Sequence, residues 1–372
     1  MKIVADDRIP FLRGVLEPFA EVVYLPGAKI APADVADADA LIVRTRTRCD
    51  AALLRGSRVR SVATATIGFD HLDTTALDAL GIAWSNAPGC NAQSVQNYIA
   101  SALAATGKSL RGRTLGVVGV GHVGTLVAAA GEALGMRVLR NDPPRAEAEG
   151  AAGFVELPEL LAASDIVTLH VPLERGGRHP TVHLANREFF RGMRPRAWFF
   201  NSCRGEAVEP DAFLEAKRSG RIALALMDVW PGEPAIDPEL LAAVDFATPH
   251  IAGYSVDGKA NGTAAAVRFT AKTLGIPERI GFTVAELPPP VYAPEIVIAP
   301  GASPDEAVRQ AILHAYDIRR DTEAFRAEPG AFEQLRGSYW KRREFSAYTV
   351  IGAPPEAEKA LEILGFSKGV RK

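Results

Sequence analysis

Leu115-Gly116-Val117-Val118-Gly119-Val120-Gly121-His122-Val123-Gly124 reads as a buried strand, a tight turn and the start of a helix. The spacing of Gly119, Gly121 and Gly124 is that of a G-x-G-x-x-G turn. The first glycine permits the turn, and the second lets the backbone approach a pyrophosphate. The third allows close helix–strand packing, and the helix N-terminus favours negative charge. His122 and Val123 complete the turn and count with the glycines as candidate cofactor contacts. The next apolar run, residues 137–140, leads to Asp142, 18 residues past Gly124. A carboxylate there can accept hydrogen bonds from ribose hydroxyls and repel a 2′-phosphate, which favours NAD over NADP. Arg140 and Arg145 beside it weaken that preference.

Five further apolar runs complete a set of six with 114–119: 137–140, 165–170, 197–201, 223–227 and 246–247. Strands that alternate with helical stretches predict a doubly wound parallel sheet. Upstream, runs at 2–5, 22–25, 40–44, 61–65 and 82–84 predict a second parallel sheet. Residues 94–106 read as the helix that joins the two, with Val95, Ile99, Ala102 and Leu103 on one face. A small-residue helix over 258–272 could return to the first domain and make it discontinuous. The Leu287-Pro288-Pro289-Pro290-Val291-Tyr292-Ala293-Pro294 stretch reads as an extended linker. Beyond it, strands at 295–299 and 347–351 and helices at 303–318, 330–343 and 355–364 predict a smaller α+β unit. The expected fold class is therefore α/β: two doubly wound parallel-sheet domains, flavodoxin-like and Rossmann, plus that third unit. The expected boundaries are 1–93 with 255–285, then 94–254, then 286–372.

At 372 residues the chain exceeds what one core supports. Its net charge of −2 gives no case for nucleic acid or an anionic membrane as partner. The acidic start, Met1 to Asp7, does not resemble a signal peptide, and no run approaches a membrane span. The cytoplasm is the expected compartment. Cys49, Cys90 and Cys203 are odd in number and widely spaced, which predicts neither disulfides nor a zinc or other metal site.

Three residues just after strand-like runs carry the chemistry. Arg204 follows Trp198-Phe199-Phe200-Asn201-Ser202-Cys203. Glu233 lies in Asp228-Val229-Trp230-Pro231-Gly232-Glu233-Pro234, and His250 in Ala247-Thr248-Pro249-His250-Ile251-Ala252-Gly253. Singly, each has a bland reading: a core histidine, a solvated turn carboxylate, a surface arginine. Jointly they fall at strand carboxyl ends, where doubly wound sheets bind ligands. A histidine can take a hydroxyl proton near neutral pH, a carboxylate on its other nitrogen fixes the tautomer, and an arginine can clamp a substrate carboxylate. That set predicts hydride transfer on a hydroxy acid.

These motifs resemble the D-isomer-specific 2-hydroxyacid dehydrogenases, whose catalytic arginine, glutamate and histidine would be Arg204, Glu233 and His250. A narrower resemblance spans the whole chain. It rests on Ala87-Pro88-Gly89-Cys90-Asn91-Ala92, Cys203-Arg204-Gly205, His250-Ile251-Ala252-Gly253-Tyr254-Ser255 and Tyr316-Asp317-Ile318-Arg319-Arg320-Asp321, and it is to the erythronate-4-phosphate dehydrogenase family. This resemblance implies oxidation of 4-phospho-D-erythronate to 2-oxo-3-hydroxy-4-phosphobutanoate with NAD, on the route to pyridoxal 5′-phosphate. It implies a homodimer formed through the C-terminal unit. It places Thr45, Thr66 and Tyr254 at the substrate, and Ser202, Cys203, Asp228 and Gly253 near the nicotinamide. Val171 stands where that family often has a threonine beside the cofactor. Gln96-Asn97 stand where the wider family usually has an acidic residue.

A 4-phosphate needs cations or amides. Arg44, Arg46 and Arg48 at period two could share one face, and Arg342-Arg343 could reach over from a dimer partner. Competing readings are 3-phosphoglycerate dehydrogenase and a non-catalytic NAD-sensing protein.

Overall fold

In the computed structural model, which describes residues 1–369, the apolar runs become parallel strands in two units. The first unit comprises Met1–Asn91 and Ser255–Pro288. Its strands are β1 (Lys2–Asp6), β2 (Glu21–Leu25), β3 (Ala40–Val43), β4 (Ser61–Thr64) and β5 (Ala83–Ser85), in the order β2-β1-β3-β4-β5 and all parallel. β3 and β4 are buried along their whole length, as expected of strands covered on both faces. Side-chain alternation splits the core. Ile3, Ala5, Ile42 and Ala63 pack with Ala266, Val267 and Ala271 of the Val256–Leu274 helix. Val4, Leu41, Val43 and Val62 pack on the opposite side with Leu53, Leu54 and Leu77. The returning helix starts where Ser255 Oγ accepts from the Gly258 amide and ends at the left-handed Gly275.

The second unit holds Ala92–Tyr254 and the stretch from Pro289 onward. Its six strands are β6 (Thr114–Val118), β7 (Arg137–Asn141), β8 (Ile166–Leu169), β9 (Ala197–Asn201), β10 (Ile222–Met227) and β11 (Phe246–Ala247). They are parallel in the order β11-β10-β9-β8-β6-β7. The order reverses between β6 and β8, the switch point at which such sheets seat ligands.

The C-terminal stretch adds β12 (Glu295–Val297), β13 (Thr349–Ile351) and β14 (Ser367–Gly369), a parallel three-stranded sheet. The helix expected over 303–318 ends at Ala315, and a second runs Ile318–Ala327 from an Asp317 cap. The break has a physical partner: Ser101 Oγ donates to the Tyr316 carbonyl (2.8 Å) and accepts from the Ile318 amide (3.0 Å). The helix expected over 330–343 is only Phe332–Gly337. Past it the chain turns in, burying Arg342 and Phe345. The last three residues of the expected 286–372 unit lie outside the described residues.

The helix expected over 94–106 runs Ala92–Ala105 within this unit, and it is buried almost throughout, including Ser94, Gln96, Asn97 and Ser101. The amide pair at Gln96-Asn97 has a use within this unit. Gln96 Oε1 accepts from Gln93 and Asn97 side chains (2.6 Å each). Those amides also donate to the Leu364 carbonyl, and Asn97 Oδ1 accepts from the Phe345 amide (3.0 Å). Buried polar side chains on this helix thus satisfy backbone of the C-terminal stretch.

Candidate active site

β9 ends in Asn201, whose side chain fixes the turn beyond it. Its Oδ1 accepts from the Cys203 amide (3.1 Å) and its Nδ2 donates to the Arg204 carbonyl (2.9 Å). Arg204 is half-buried, and its Nη1 donates to the Cys203 carbonyl (2.8 Å). Gly205 lies hard against the next loop, so that a Cβ there would sit 2.1 Å from the Trp230 carbonyl carbon.

Glu233 and His250 are brought together. Glu233 Oε1 lies 2.5 Å from His250 Nδ1, and Oε2 accepts from the Trp230 amide (3.3 Å). Burial pushes the Glu233 carboxyl up, but the bond to His250, its charge and that of Arg336 outweigh this. The net shift is downward, so Glu233 is a carboxylate at neutral pH. Because Nδ1 is taken, the ring nitrogen left for chemistry is Nε2.

His250 has φ +56°, a left-handed conformation uncommon for a non-glycine residue. Its amide donates to the Asp228 carbonyl (2.7 Å). The Asp228 carboxylate, almost fully buried, accepts from Thr248 Oγ1 (2.6 Å), the Ile251 amide (2.7 Å) and the Ala252 amide (2.9 Å). Burial raises its pKa; His250 and these donors pull the other way without cancelling it. Asp228 therefore acts on the backbone on either side of the histidine.

The glycine turn has the expected geometry. Gly119 has φ +84°, and a Cβ there would lie 2.7 Å from the His170 carbonyl. A Cβ on Gly124 would lie 2.0 Å from the Gly119 oxygen, so strand and helix touch as only glycine allows. Gly121 caps the His122–Ala133 helix with no side-chain bond, and open space lies where its Cβ would be. The first helical amides, in His122, Val123 and Gly124, are thus presented to an incoming anion. Asp142 follows β7 and accepts from the Val120 amide (2.7 Å) and the Arg145 amide (3.1 Å). Arg145 is bound to Glu149 (2.7 Å) and the Val120 carbonyl, and Arg140 to Glu132 (2.7 Å). Both cations are thus engaged by neighbouring carboxylates. Half-buried Val171 follows β8 beside Gly119. Ser202 Oγ is buried with no partner, and burial raises the Cys203 thiol to about 11, so it stays protonated. Half-buried Gly253 closes the His250 loop. Glycines that leave room for a backbone-bound anion, an uncapped helix start and an orphaned hydroxyl at a strand end fit a dinucleotide.

Tyr254, in the same unit, has its ring 6.3 Å from that of Tyr339 and under the Arg336 guanidinium at 5.4 Å. In the first unit, Thr45 is exposed just past β3. Thr66 Oγ1 donates to the Gly68 carbonyl and lies 2.8 Å from Thr64 Oγ1.

The expected arginine geometry is corrected. β3 ends at Val43, so Arg44, Arg46 and Arg48 lie in a turn and period-two alternation does not apply. Arg44 pairs with buried Asp6 (3.3 Å) and Arg48 with Asp50 (2.9 Å). Arg342 is 1% exposed and enclosed by its own chain, so it cannot reach a substrate from a partner. Arg336 gave no sequence signal, yet its charge acts on Glu233 across the fold from the Phe332–Gly337 helix. Among the described residues no cluster of His, Cys, Asp or Glu could hold a metal ion, and no helix is long and apolar enough to cross a membrane.

Residues 83–252 match the family described as D-isomer specific 2-hydroxyacid dehydrogenase, NAD binding domain. Residues 287–365 match a domain of unknown function, DUF3410. The chain is similar to the erythronate-4-phosphate dehydrogenase of Bacteroides fragilis: 46% identical over 356 residues, covering 94% of this chain and 99% of that one. Its fold is similar to that of the TT0316 protein of Thermus thermophilus, with TM-score 0.63, 29% identity and coverage of 74% and 97%. It is also similar to an NAD+-bound 3-phosphoglycerate dehydrogenase of Entamoeba histolytica, with TM-score 0.63, 25% identity and coverage of 77% and 99%.

Proposed function

The chain belongs to the erythronate-4-phosphate dehydrogenase family of NAD-dependent D-2-hydroxyacid dehydrogenases, and from that premise we propose how its residues oxidise 4-phospho-D-erythronate. The observation that carries the reading is the 2.5 Å pair of Glu233 and His250 at strand ends of the cofactor sheet. Bound NAD supplies the hydride acceptor for the hydrogen on C2. His250 takes the C2 hydroxyl proton at Nε2. Glu233 holds Nδ1 protonated and balances the imidazolium that forms. Arg204 clamps the substrate carboxylate and steadies the C2 oxygen as it becomes a carbonyl. Gly119, Gly121 and Gly124 admit the pyrophosphate, with His122 and Val123 at the helix start. Asp142 takes the ribose hydroxyls, and Val171, Ser202, Cys203 and Gly253 surround the nicotinamide. Asp228 acts there through the His250 loop.

Thr45, Thr66 and Tyr254 contact the substrate, and the 44–48 turn supplies cations for its phosphate. The product is 2-oxo-3-hydroxy-4-phosphobutanoate, an intermediate on the way to pyridoxal 5′-phosphate. The working form is a cytoplasmic homodimer joined through the C-terminal stretch, in which 1–93 with 255–285 binds substrate and 94–254 binds NAD.

The test is NADH formation with 4-phospho-D-erythronate, D-3-phosphoglycerate and plain D-erythronate, with a 2-oxo acid added in parallel to discharge tightly held NADH. Preference for 4-phosphoerythronate is expected. Preference for 3-phosphoglycerate would keep the mechanism and replace the substrate, and no turnover with any would point to an NAD sensor.

A further inference from the structure

The His250-Ile251-Ala252 backbone is held from two sides by buried groups of opposite charge. Asp228 takes the Ile251 and Ala252 N–H groups. Arg342, from the C-terminal stretch, takes the carbonyls of the same two residues: Nη2 donates to Ala252 O (2.6 Å) and, more weakly, to Ile251 O (3.4 Å). The same nitrogen donates to Ser94 Oγ (2.6 Å), which itself donates to Ala252 O (3.0 Å). The guanidinium lies over the Tyr316 ring at 4.4 Å and near Tyr339 at 5.8 Å. Asp321 fixes those two rings by accepting from both phenols (2.8 and 2.6 Å).

Stability does not account for this arrangement. An arginine 1% exposed is costly to desolvate, and here Nη1 has no partner. Apolar residues of similar volume often replace buried ionic groups with little loss. What an apolar residue cannot do is hold two peptide carbonyls directly behind a histidine kept in the left-handed region, where the backbone is strained.

We propose that Arg342 is a positioning residue for His250, so that the C-terminal stretch, through Arg342, sets the geometry of the proton-transfer pair within its own chain. The proposal rests on His250 being the base. It makes the family of unknown function at residues 287–365 part of the active-site scaffold as well as a candidate dimer surface.

The test uses the full-length protein with Arg342→Met, Arg342→Lys and Ser94→Ala. Three quantities are read: turnover, NAD affinity by fluorescence titration, and the downfield proton resonance of the His250–Glu233 hydrogen bond. Arg342→Met should lower kcat at least tenfold, shift or broaden the resonance, and leave NAD affinity within about twofold. Arg342→Lys should recover part of the rate. Should Arg342→Met fail to fold, Ser94→Ala decides, with a several-fold loss of kcat expected. Wild-type kcat and an unshifted resonance in a folded Arg342→Met, or in Ser94→Ala if that variant must decide, would overturn the proposal. A wild-type protein without turnover defeats the catalytic reading instead, and the resonance still reports on whether Arg342 orders the loop.

Discussion

Trp230 Nε1 donates to the Thr248 carbonyl across 2.9 Å, tying the Glu233 loop to the strand end that carries His250. Trp230 is fully buried, so this bond exchanges little with water, and Tyr98 adds a second tie through the Thr248 hydroxyl (2.6 Å). The Glu233–His250 pair is thus held by packing and hydrogen bonds on the sheet as well as by its own contact.

His250→Ala should lower kcat by about 10²- to 10⁴-fold, the usual worth of a general base. Arg204→Ala should do similar damage while raising KM for the hydroxy acid. Neither residue belongs to the glycine turn, so NAD binding by fluorescence titration should persist in both. Near-normal turnover in either would remove it from the mechanism.

Glu233→Gln should destabilise the protein at pH 7 by about 1.5–3 kcal/mol, the range for a hydrogen bond to a charged group. The folded-state pKa of Glu233 is below its ordinary value of 4.5, so the unfolded chain binds the proton more readily. The carboxylate's stabilisation is complete above that ordinary value and is lost as pH falls through the lower, folded one. Thermal melts should therefore show a full gap between wild type and variant at pH 7 that narrows only below about pH 4.5. A gap independent of pH would mean that the charge contributes nothing.

Gly205→Ala places a methyl 2.1 Å from the Trp230 carbonyl carbon, so one of the two loops must move. Arg204 is the neighbour that moves with it. A folded variant should lose kcat by tenfold or more with little change in NAD affinity, as judged by steady-state kinetics.

Asp142→Ala removes an acceptor for the Val120 amide and a cap on the Pro143–Glu149 helix. The expected result is a tenfold or larger rise in KM for NAD and a narrower preference over NADP. The lost cap should cost about 1 kcal/mol. An unchanged ratio of kcat/KM for the two cofactors would take Asp142 out of cofactor choice.

Arg46→Gln with Arg48→Gln should raise KM for 4-phospho-D-erythronate severalfold and leave KM for plain D-erythronate unchanged. Arg44 is a poorer probe because its loss strands buried Asp6. Equal effects on the two substrates would move the phosphate elsewhere.

Periodicity located both large sheets because their strands are continuous apolar runs bounded by turn residues. The meeting of Glu233 and His250 was legible because a doubly wound sheet gathers its carboxyl strand ends, and Arg204 follows β9 at another such end. What stayed hidden depends on long-range partners. The helix break at Tyr316 needs Ser101, and the inward turn of Arg342 needs carbonyls at Ile251 and Ala252. The alternation of Arg44, Arg46 and Arg48 misled because β3 stops at Val43, which local pattern does not show.

The helix Val256–Leu274 completes a core begun at Ile3, while residues 92–254 belong to the other unit. That second unit in turn needs Phe345, Tyr348 and Phe366 in its core. During N-to-C synthesis, then, neither unit can bury its apolar strands until distant chain has been made, and β1, β3 and β4 must wait through most of translation. Such non-local closure slows folding and leaves apolar surface exposed meanwhile. A nascent chain truncated before Val256 would present that first sheet with one face bare, the form in which chaperones should hold it longest.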